Sequence, residues 1–267
     1  HTDSTHADAA GFSSTLLNRT LDINFVLRRM ARKSTRGRGF LAGMVDADRS
    51  AVVGYSMGGY GALNAAGAGY SDAAVNLPWG VPGGHLARLQ AGTPEYAAEL
   101  DPRIRAIVAL APWGGAFGFW DAEGLEGLKV PSLFIVGGQD RTSGFDSVNW
   151  LFENAIHSDR YLLVYESAIH EVAVNPAPPL AELHYREYVH YQEPAWDNRR
   201  LNNVNQHFIT AFLGMHLQGE ASTYEPYLDL VPISNESHRT DENDPTYWTG
   251  FTNWAAIGME LHHLLPQ

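Results

Sequence analysis

Apolar residues follow two different spacings along the chain. Over residues 13–33 they recur at intervals near 3.6, which predicts an amphipathic helix. Short continuous apolar runs predict four strands, at residues 51–55, 104–111, 132–136 and 161–165. Further helical stretches begin after residue 56 and cover residues 147–156 and 198–217. Because the runs do not alternate, the strands are expected to be buried on both faces. The pattern indicates an α/β fold with a doubly wound, mostly parallel sheet.

The remaining segments divide the chain into a main domain and an extension. Residues 1–217 are assigned to one α/β domain, and residues 218–267 to a C-terminal extension packed on the same domain. Proline and glycine interrupt residues 70–102, which therefore predict an insertion without regular structure, apart from a short helix near residues 94–100. The aromatic residues of the extension indicate that it is ordered.

A Gly-x-Ser-x-Gly pentapeptide lies between the first apolar run and a helix of small residues. It places Ser56 between Gly54 and Gly58. This strand, sharp turn and helix are typical of the turn that presents a nucleophilic serine. Neither glycine has a side chain that would block the strained turn. The alternative is an ordinary glycine-rich turn, but the strand before it and the helix after it favour a nucleophile.

A nucleophilic serine needs a base, and the base needs an acid that orients it. On this kind of sheet the order is serine, acid and histidine, with each residue just after a strand. Asp140 is the first acid after the run that ends at residue 136, and His170 is the first histidine after the run that ends at residue 165. Asp146 and Glu166 are the rival acids. The predicted catalytic residues are therefore Ser56, Asp140 and His170.

Further residues are predicted to contact a substrate. The backbone N–H of Met57, which follows the nucleophile, is the expected donor of an oxyanion hole. Trp113 follows the next strand and is expected to line the pocket, with core packing as the alternative. Trp79 lies in the insertion and is expected to roof the cleft, with surface packing as the alternative. Tyr55 completes the set of substrate-binding candidates.

Composition narrows the classes of function. The 267 residues include no cysteine, which excludes disulfides and a cysteine nucleophile. The net charge of −12 argues against a nucleic-acid partner, and no apolar run approaches the ~20 residues of a membrane span. His184 and His190 come closest to a metal-binding spacing, but no cluster of carboxylates and histidines supports a metal site, and no cofactor is expected. The compartment stays undetermined.

The motifs resemble those of a known family. The segments that carry the resemblance are residues 54–59, 109–114, 131–140, 168–170 and 175–178. They are similar to the dienelactone-hydrolase-like serine esterases, which are α/β-hydrolases related to platelet-activating-factor acetylhydrolases and bacterial polyester hydrolases. The resemblance covers roughly residues 1–217. It implies an α/β-hydrolase fold and hydrolysis of a carboxylic ester, either a small molecule, a lipid or a polymer.

The N-terminal part of the chain departs from the pattern of this family. Residues 1–5 look like the loop after the family's fourth strand, and the chain carries no clear strand before residue 51. In the family, the loop after the third strand supplies the second oxyanion donor. We therefore expect a companion N-terminal segment or chain that completes the sheet, since an open strand edge and half an oxyanion hole would otherwise remain.

Three other functions stay open at this point. An amidase or peptidase would use the same three residues. A lactonase of the dienelactone type is disfavoured, because those enzymes typically use a cysteine nucleophile. A non-catalytic binding module would keep the fold without the activity, and would form no covalent adduct with a fluorophosphonate.

Overall fold

The computed structural model describes residues 9–78 and 82–267, and within these ranges the chain forms a five-stranded sheet. The strands follow one another across the sheet in chain order, as β1 (Ser50–Tyr55), β2 (Ile104–Leu110), β3 (Ser132–Gly137), β4 (Arg160–Tyr165) and β5 (Met259–Leu264). The first four strands are parallel, and β5 runs antiparallel to β4. The predicted α/β class with a mostly parallel sheet is confirmed.

Helices cover both faces of this sheet. In chain order they are α1 (Ala9–Thr35), α2 (Met57–Ala65), α3 (Asp72–Val75), α4 (Pro94–Glu99), α5 (Ala122–Leu125), α6 (Phe145–Asn154), α7 (Pro179–Glu182), α8 (Tyr185–Tyr188), α9 (Asn198–Leu213) and α10 (Ala221–Tyr224). Helices α1, α2 and α6 pack on one face, and α9 packs on the other. One turn of π-helix, Gly214–Gln218, continues α9.

The central strands explain why their sequences do not alternate. Every residue of β3 and β4 is buried, and Arg105 is the one exposed residue of β2. Successive β2 residues serve opposite faces: Ile107 packs with the helices α2 and α6, whereas Val108 packs with α9. Strands covered on both faces therefore carry continuous apolar sequence.

Two sequence-based expectations about regular structure were wrong. The sheet has a fifth strand, β5, in the C-terminal extension, where Met259 and Leu261 are buried and the residues between and after them are partly or fully exposed. This alternation is that of an antiparallel edge strand, but it spans only six residues and includes two histidines. The insertion contains helix α3 and a 3₁₀ helix, Pro82–Leu89, in addition to the expected α4.

The C-terminal extension packs on the face covered by α9. Trp248 and Phe251 are buried against Phe208 of α9, with ring centroids 6.1 and 5.6 Å from that ring. The indole N–H of Trp248 donates to the carbonyl of Val231 at 2.9 Å. The extension thus contributes a strand to the sheet and a large part of one side of the core.

Strand β1 forms one edge of the sheet in the described part of the chain. A groove of about 880 Å³ lies between this edge and α1. Large apolar side chains line this groove, and each of them is at least half exposed: Val53 at 50%, Phe25 at 60% and Val26 at 54%. The edge of β1 is therefore apolar and accessible. No helix in the described ranges is long and apolar enough to cross a membrane.

Candidate active site

Ser56 occupies a sharp turn between β1 and α2. Its backbone has φ 53° and ψ −115°, a conformation that residues other than glycine rarely adopt and that costs roughly 1–3 kcal/mol. The turn is held by the N–H of Ser56, which donates to Leu110 O at 2.8 Å, and by the carbonyl of Ser56, which accepts from Tyr60 and Trp113 at 3.1 Å each. These three hydrogen bonds fix the strained backbone of Ser56 between β1 and α2.

The two glycines of the pentapeptide have different roles. A Cβ on Gly54 would lie 2.1 Å from the carbonyl oxygen of Gly58, so the turn cannot form with a side chain at position 54. A Cβ on Gly58 would meet no described atom within 4 Å. The sequence predicts that a side chain at either position would block the turn. This prediction is wrong for Gly58, which instead lines the groove beside β1.

Asp140 follows β3 and is held at both carboxylate oxygens. Its Oδ1 accepts the backbone N–H groups of Thr142 and Ser143 at 2.8 and 2.9 Å. Its Oδ2 lies 2.9 Å from His170 Nδ1. Burial alone would raise the pKa of Asp140, but the hydrogen bonds and the charge of His170 outweigh it and hold that pKa below its usual value. The carboxylate is therefore ionised at neutral pH.

His170 follows β4 and joins the other two side chains. Its Nε2 lies 3.0 Å from Ser56 Oγ, and its ring is nearly buried. Since the carboxylate of Asp140 only accepts hydrogen bonds, His170 Nδ1 carries the proton in the neutral imidazole. His170 Nε2 is then free to accept the hydroxyl proton of Ser56. The structure thus brings the three predicted catalytic residues into one hydrogen-bonded chain, and it leaves Asp146 and Glu166 out of that chain.

The loops that carry Asp140 and His170 pack directly against each other. The N–H of Gln139 donates to Ala168 O at 2.9 Å. A Cβ on Gly137 would lie 2.2 Å from Ile169 O, and one on Gly138 would lie 2.3 Å from Glu166 O. The two glycines that follow the β3 apolar run are therefore required by the close approach of these two backbones.

Met57 is the first residue of α2, directly after the nucleophile. The first N–H groups of a helix have no acceptor within it, and the N-terminal end of the helix dipole is positive. This position at a helix N-terminus is compatible with the predicted role of the Met57 N–H as an oxyanion donor, which stays a prediction.

The predicted substrate-binding residues differ in where the structure places them. Trp113 lies in an aromatic cluster with Phe12 of α1 and Phe117, at ring-centroid distances of 5.5 and 4.9 Å. Its backbone N–H reaches the carbonyl of Ser56, so this cluster lies beside the nucleophile. Tyr55 packs against His170 instead, at a centroid distance of 5.2 Å. Trp79 lies outside the described residues.

Two polar residues near the triad have no signal in the sequence. Glu193, which is 8% exposed, accepts the N–H groups of Ile169 and Ala195 at 2.7 and 2.8 Å. Ser143 is buried, and its hydroxyl donates to Ala111 O at 2.7 Å. Glu193 comes 24 residues after its partner Ile169, in a segment rich in proline and aromatic residues. Only the folded chain brings these groups together.

Side chains that could bind a metal ion are not clustered in the described part of the chain. Among residues 9–78 and 82–267, no group of three or more histidine or carboxylate side chains is arranged to hold a metal ion. His184 and His190 are both exposed.

No protein-family model matches the chain, and a search of curated proteins finds no significant match.

Proposed function

We propose that the protein is a serine hydrolase that cleaves carboxylic esters through an acyl-enzyme on Ser56. The observation that carries this proposal is the hydrogen-bonded chain from Ser56 Oγ through His170 to Asp140, with distances of 3.0 and 2.9 Å. All three residues follow parallel strands of one sheet. This arrangement is the one that activates a serine for attack on an acyl carbonyl.

The strained serine turn and the chain order of the triad support an α/β-hydrolase fold. In that fold the nucleophile sits between a strand and a helix, and the acid precedes the histidine. Ser56, Asp140 and His170 follow β1, β3 and β4 in this order. These features, together with the motifs around them, support membership of the dienelactone-hydrolase-like esterases.

The reaction follows from the positions of the atoms. Ser56 Oγ attacks the ester carbonyl carbon while His170 Nε2 takes the hydroxyl proton, and Asp140 stabilises the resulting imidazolium. The N–H of Met57 stabilises the tetrahedral oxyanion. When this intermediate collapses, the C–O bond to the alcohol breaks and His170 protonates the departing oxygen. A water molecule, deprotonated by His170, then hydrolyses the acyl-enzyme to the free acid and restores Ser56.

The aromatic cluster beside Ser56 supports an apolar or aromatic ester as substrate. Trp113 contacts both Phe12 and Phe117, and Phe117 is 45% exposed. Flat aromatic surface of this kind binds acyl or alcohol groups by stacking and by burial of apolar area. The substrate class covers small-molecule, lipid and polymer esters.

A companion strand at the β1 edge is the second part of the proposal. The groove beside β1 is mostly apolar, and its lining includes Ser50 to Val53 of β1 and Gly58 of α2, which lies two residues past the nucleophile. A strand that pairs there would cover Val53, and the loop after it would lie close enough to Ser56 to supply a second oxyanion donor. The intact mass of the purified active protein tests this part. Full activity at 29.4 kDa with no companion chain would contradict it.

Hydrolysis of p-nitrophenyl acetate, butyrate and benzoate by the purified protein tests the function. We expect turnover by the wild type, at least a thousandfold loss in Ser56→Ala, and wild-type rates in Ser222→Ala, whose serine is exposed on α10. Equal activity of wild type and Ser56→Ala would overturn the assignment. Cleavage of the matching anilide as fast as the ester would identify an amidase at the same site.

A further inference from the structure

The loop that carries His170 is held by side chains from distant parts of the chain. His170 lies between the end of β4 and a segment without regular structure, so its own backbone gives it little support. Its carbonyl oxygen accepts the N–H of Val172 at 2.8 Å, which closes a tight turn. Tyr55 and Glu193 bind His170 and the residue before it, and Asn205 Nδ2 donates to the carbonyl of Val172 at 2.8 Å.

Tyr55 contacts His170 at two places. Its hydroxyl donates to the carbonyl oxygen of His170 at 3.1 Å, and its ring lies at 33° to the imidazole with centroids 5.2 Å apart. Burial raises the pKa of the Tyr55 phenol well above its usual range, and the nearby carboxylates of Glu171 and Asp140 raise it further. The hydroxyl therefore keeps its proton and stays a donor across the working pH range.

Glu193 fixes the residue before the histidine. One oxygen of its buried carboxylate accepts the N–H of Ile169 at 2.7 Å, and the other accepts the N–H of Ala195 at 2.8 Å. A charged acceptor on two backbone donors is a stronger link than a neutral pair. Ile169 and His170 are thus each bound to a side chain from another segment.

From these contacts we propose that Tyr55 and Glu193 are positioning residues, which hold the turn at His170 so that Nε2 faces Ser56 Oγ. This proposal rests on the proposed serine-hydrolase function. It also gives Tyr55 a role different from the substrate contact that its place in the sequence predicts. A displacement of the imidazole by about 1 Å is enough to reduce turnover by up to about a hundredfold.

Two conservative variants test the proposal. Tyr55→Phe removes the hydroxyl and keeps the ring, and Glu193→Gln keeps the shape but turns one acceptor into a donor that faces a backbone N–H. We expect kcat for a p-nitrophenyl ester to fall about tenfold in each, with KM within about twofold of the wild type. Tyr185→Phe and Glu187→Gln, which change exposed residues on α8, are the matched controls and should behave as wild type.

Amide hydrogen exchange gives a readout that does not need activity. Glu193→Gln keeps one acceptor for the N–H groups of Ile169 and Ala195, so exchange of at least one of these two amides should be faster. Exchange of the Val172 amide should be faster in Tyr55→Phe. Unchanged exchange at all three amides, or an unchanged kcat in both variants, would overturn the proposal. A raised KM with unchanged kcat in Tyr55→Phe would make it a substrate contact instead. If the wild type hydrolyses no ester, the proposed function is wrong. Faster amide exchange in the variants would then still support the contacts of Tyr55 and Glu193 with the turn at His170.

Discussion

Replacing Asp140 by asparagine separates the charge of this residue from its shape. The N–H groups of Thr142 and Ser143 point at Oδ1, so in Asp140→Asn the amide oxygen stays at that position. The new NH₂ group then faces His170 Nδ1, where a carboxylate oxygen lies at 2.9 Å in the wild type. A donor at this place requires Nδ1 to be an acceptor, which moves the imidazole proton to Nε2. His170 then cannot accept the proton of Ser56.

The expected loss is large because the variant reverses the tautomer of the base. An acid-to-amide change at this position of a serine triad lowers kcat by about 10⁴-fold, which corresponds to about 5.5 kcal/mol of transition-state stabilisation. The assay is steady-state hydrolysis of a p-nitrophenyl ester at pH 7, with KM measured in parallel. Circular dichroism at increasing temperature confirms that the variant is folded.

Asp146→Asn is the matched control, because Asp146 is the rival acid in the sequence and lies in the first turn of α6. We expect its kcat to stay within about twofold of the wild type. If Asp140→Asn keeps more than a tenth of the wild-type kcat, or if Asp146→Asn loses as much activity as Asp140→Asn, the assignment of the acid is refuted.

Three further predictions concern stability. Gly54→Ala should lower the free energy of unfolding, measured by urea denaturation, by about 3 kcal/mol or more, because its Cβ would lie 2.1 Å from the carbonyl oxygen of Gly58. Gly58→Ala should be tolerated, and equal losses in the two variants would contradict this prediction. Burial lowers the pKa of His207 and of His216 in the folded state. Their contribution to the free energy of unfolding is therefore fully present above about pH 6.5 and falls as the pH drops through the lower folded-state pKa values, by at most about 1.4 kcal/mol per pH unit for each histidine. A urea midpoint that stays constant from pH 7 to 5 would refute this prediction. Arg160 is 1% exposed and donates to four backbone carbonyls. Arg160→Met should therefore lower the free energy of unfolding by about 3 kcal/mol. A thermal midpoint equal to that of the wild type would show that these hydrogen bonds contribute little.

The central sheet could be predicted because burial on both faces leaves a strong signal. Strands β2, β3 and β4 are continuous apolar runs, and the sequence places each within about one residue of its observed bounds. Strand β5 could not be found in this way. It pairs with β4 along its length and with Ile233 at a single bridge to Glu260, it is half exposed, and its six residues include charged and histidine side chains. Its place in the sheet depends on pairing with a strand about 100 residues earlier.

The triad was predictable for a different reason. In a parallel sheet the carboxyl ends of the strands meet at one edge, so residues just after separate strands come together. By that rule Asp140 and His170 are predicted to lie beside Ser56, although the three residues belong to separate segments. Glu193 follows no strand and belongs to no motif, so no comparable rule applied to it. The contact of Tyr55 with His170 likewise depends on how the turn after β4 packs against the end of β1.

The most direct test of the account is covalent labelling by a fluorophosphonate, followed by digestion and mass spectrometry of the peptides. We expect one adduct, located on Ser56. Labelling should be abolished in Ser56→Ala, and slowed by at least about a hundredfold in His170→Ala, because the base is removed. Labelling of another serine, or no labelling of the intact and active protein, would contradict the assignment of Ser56 as an activated nucleophile.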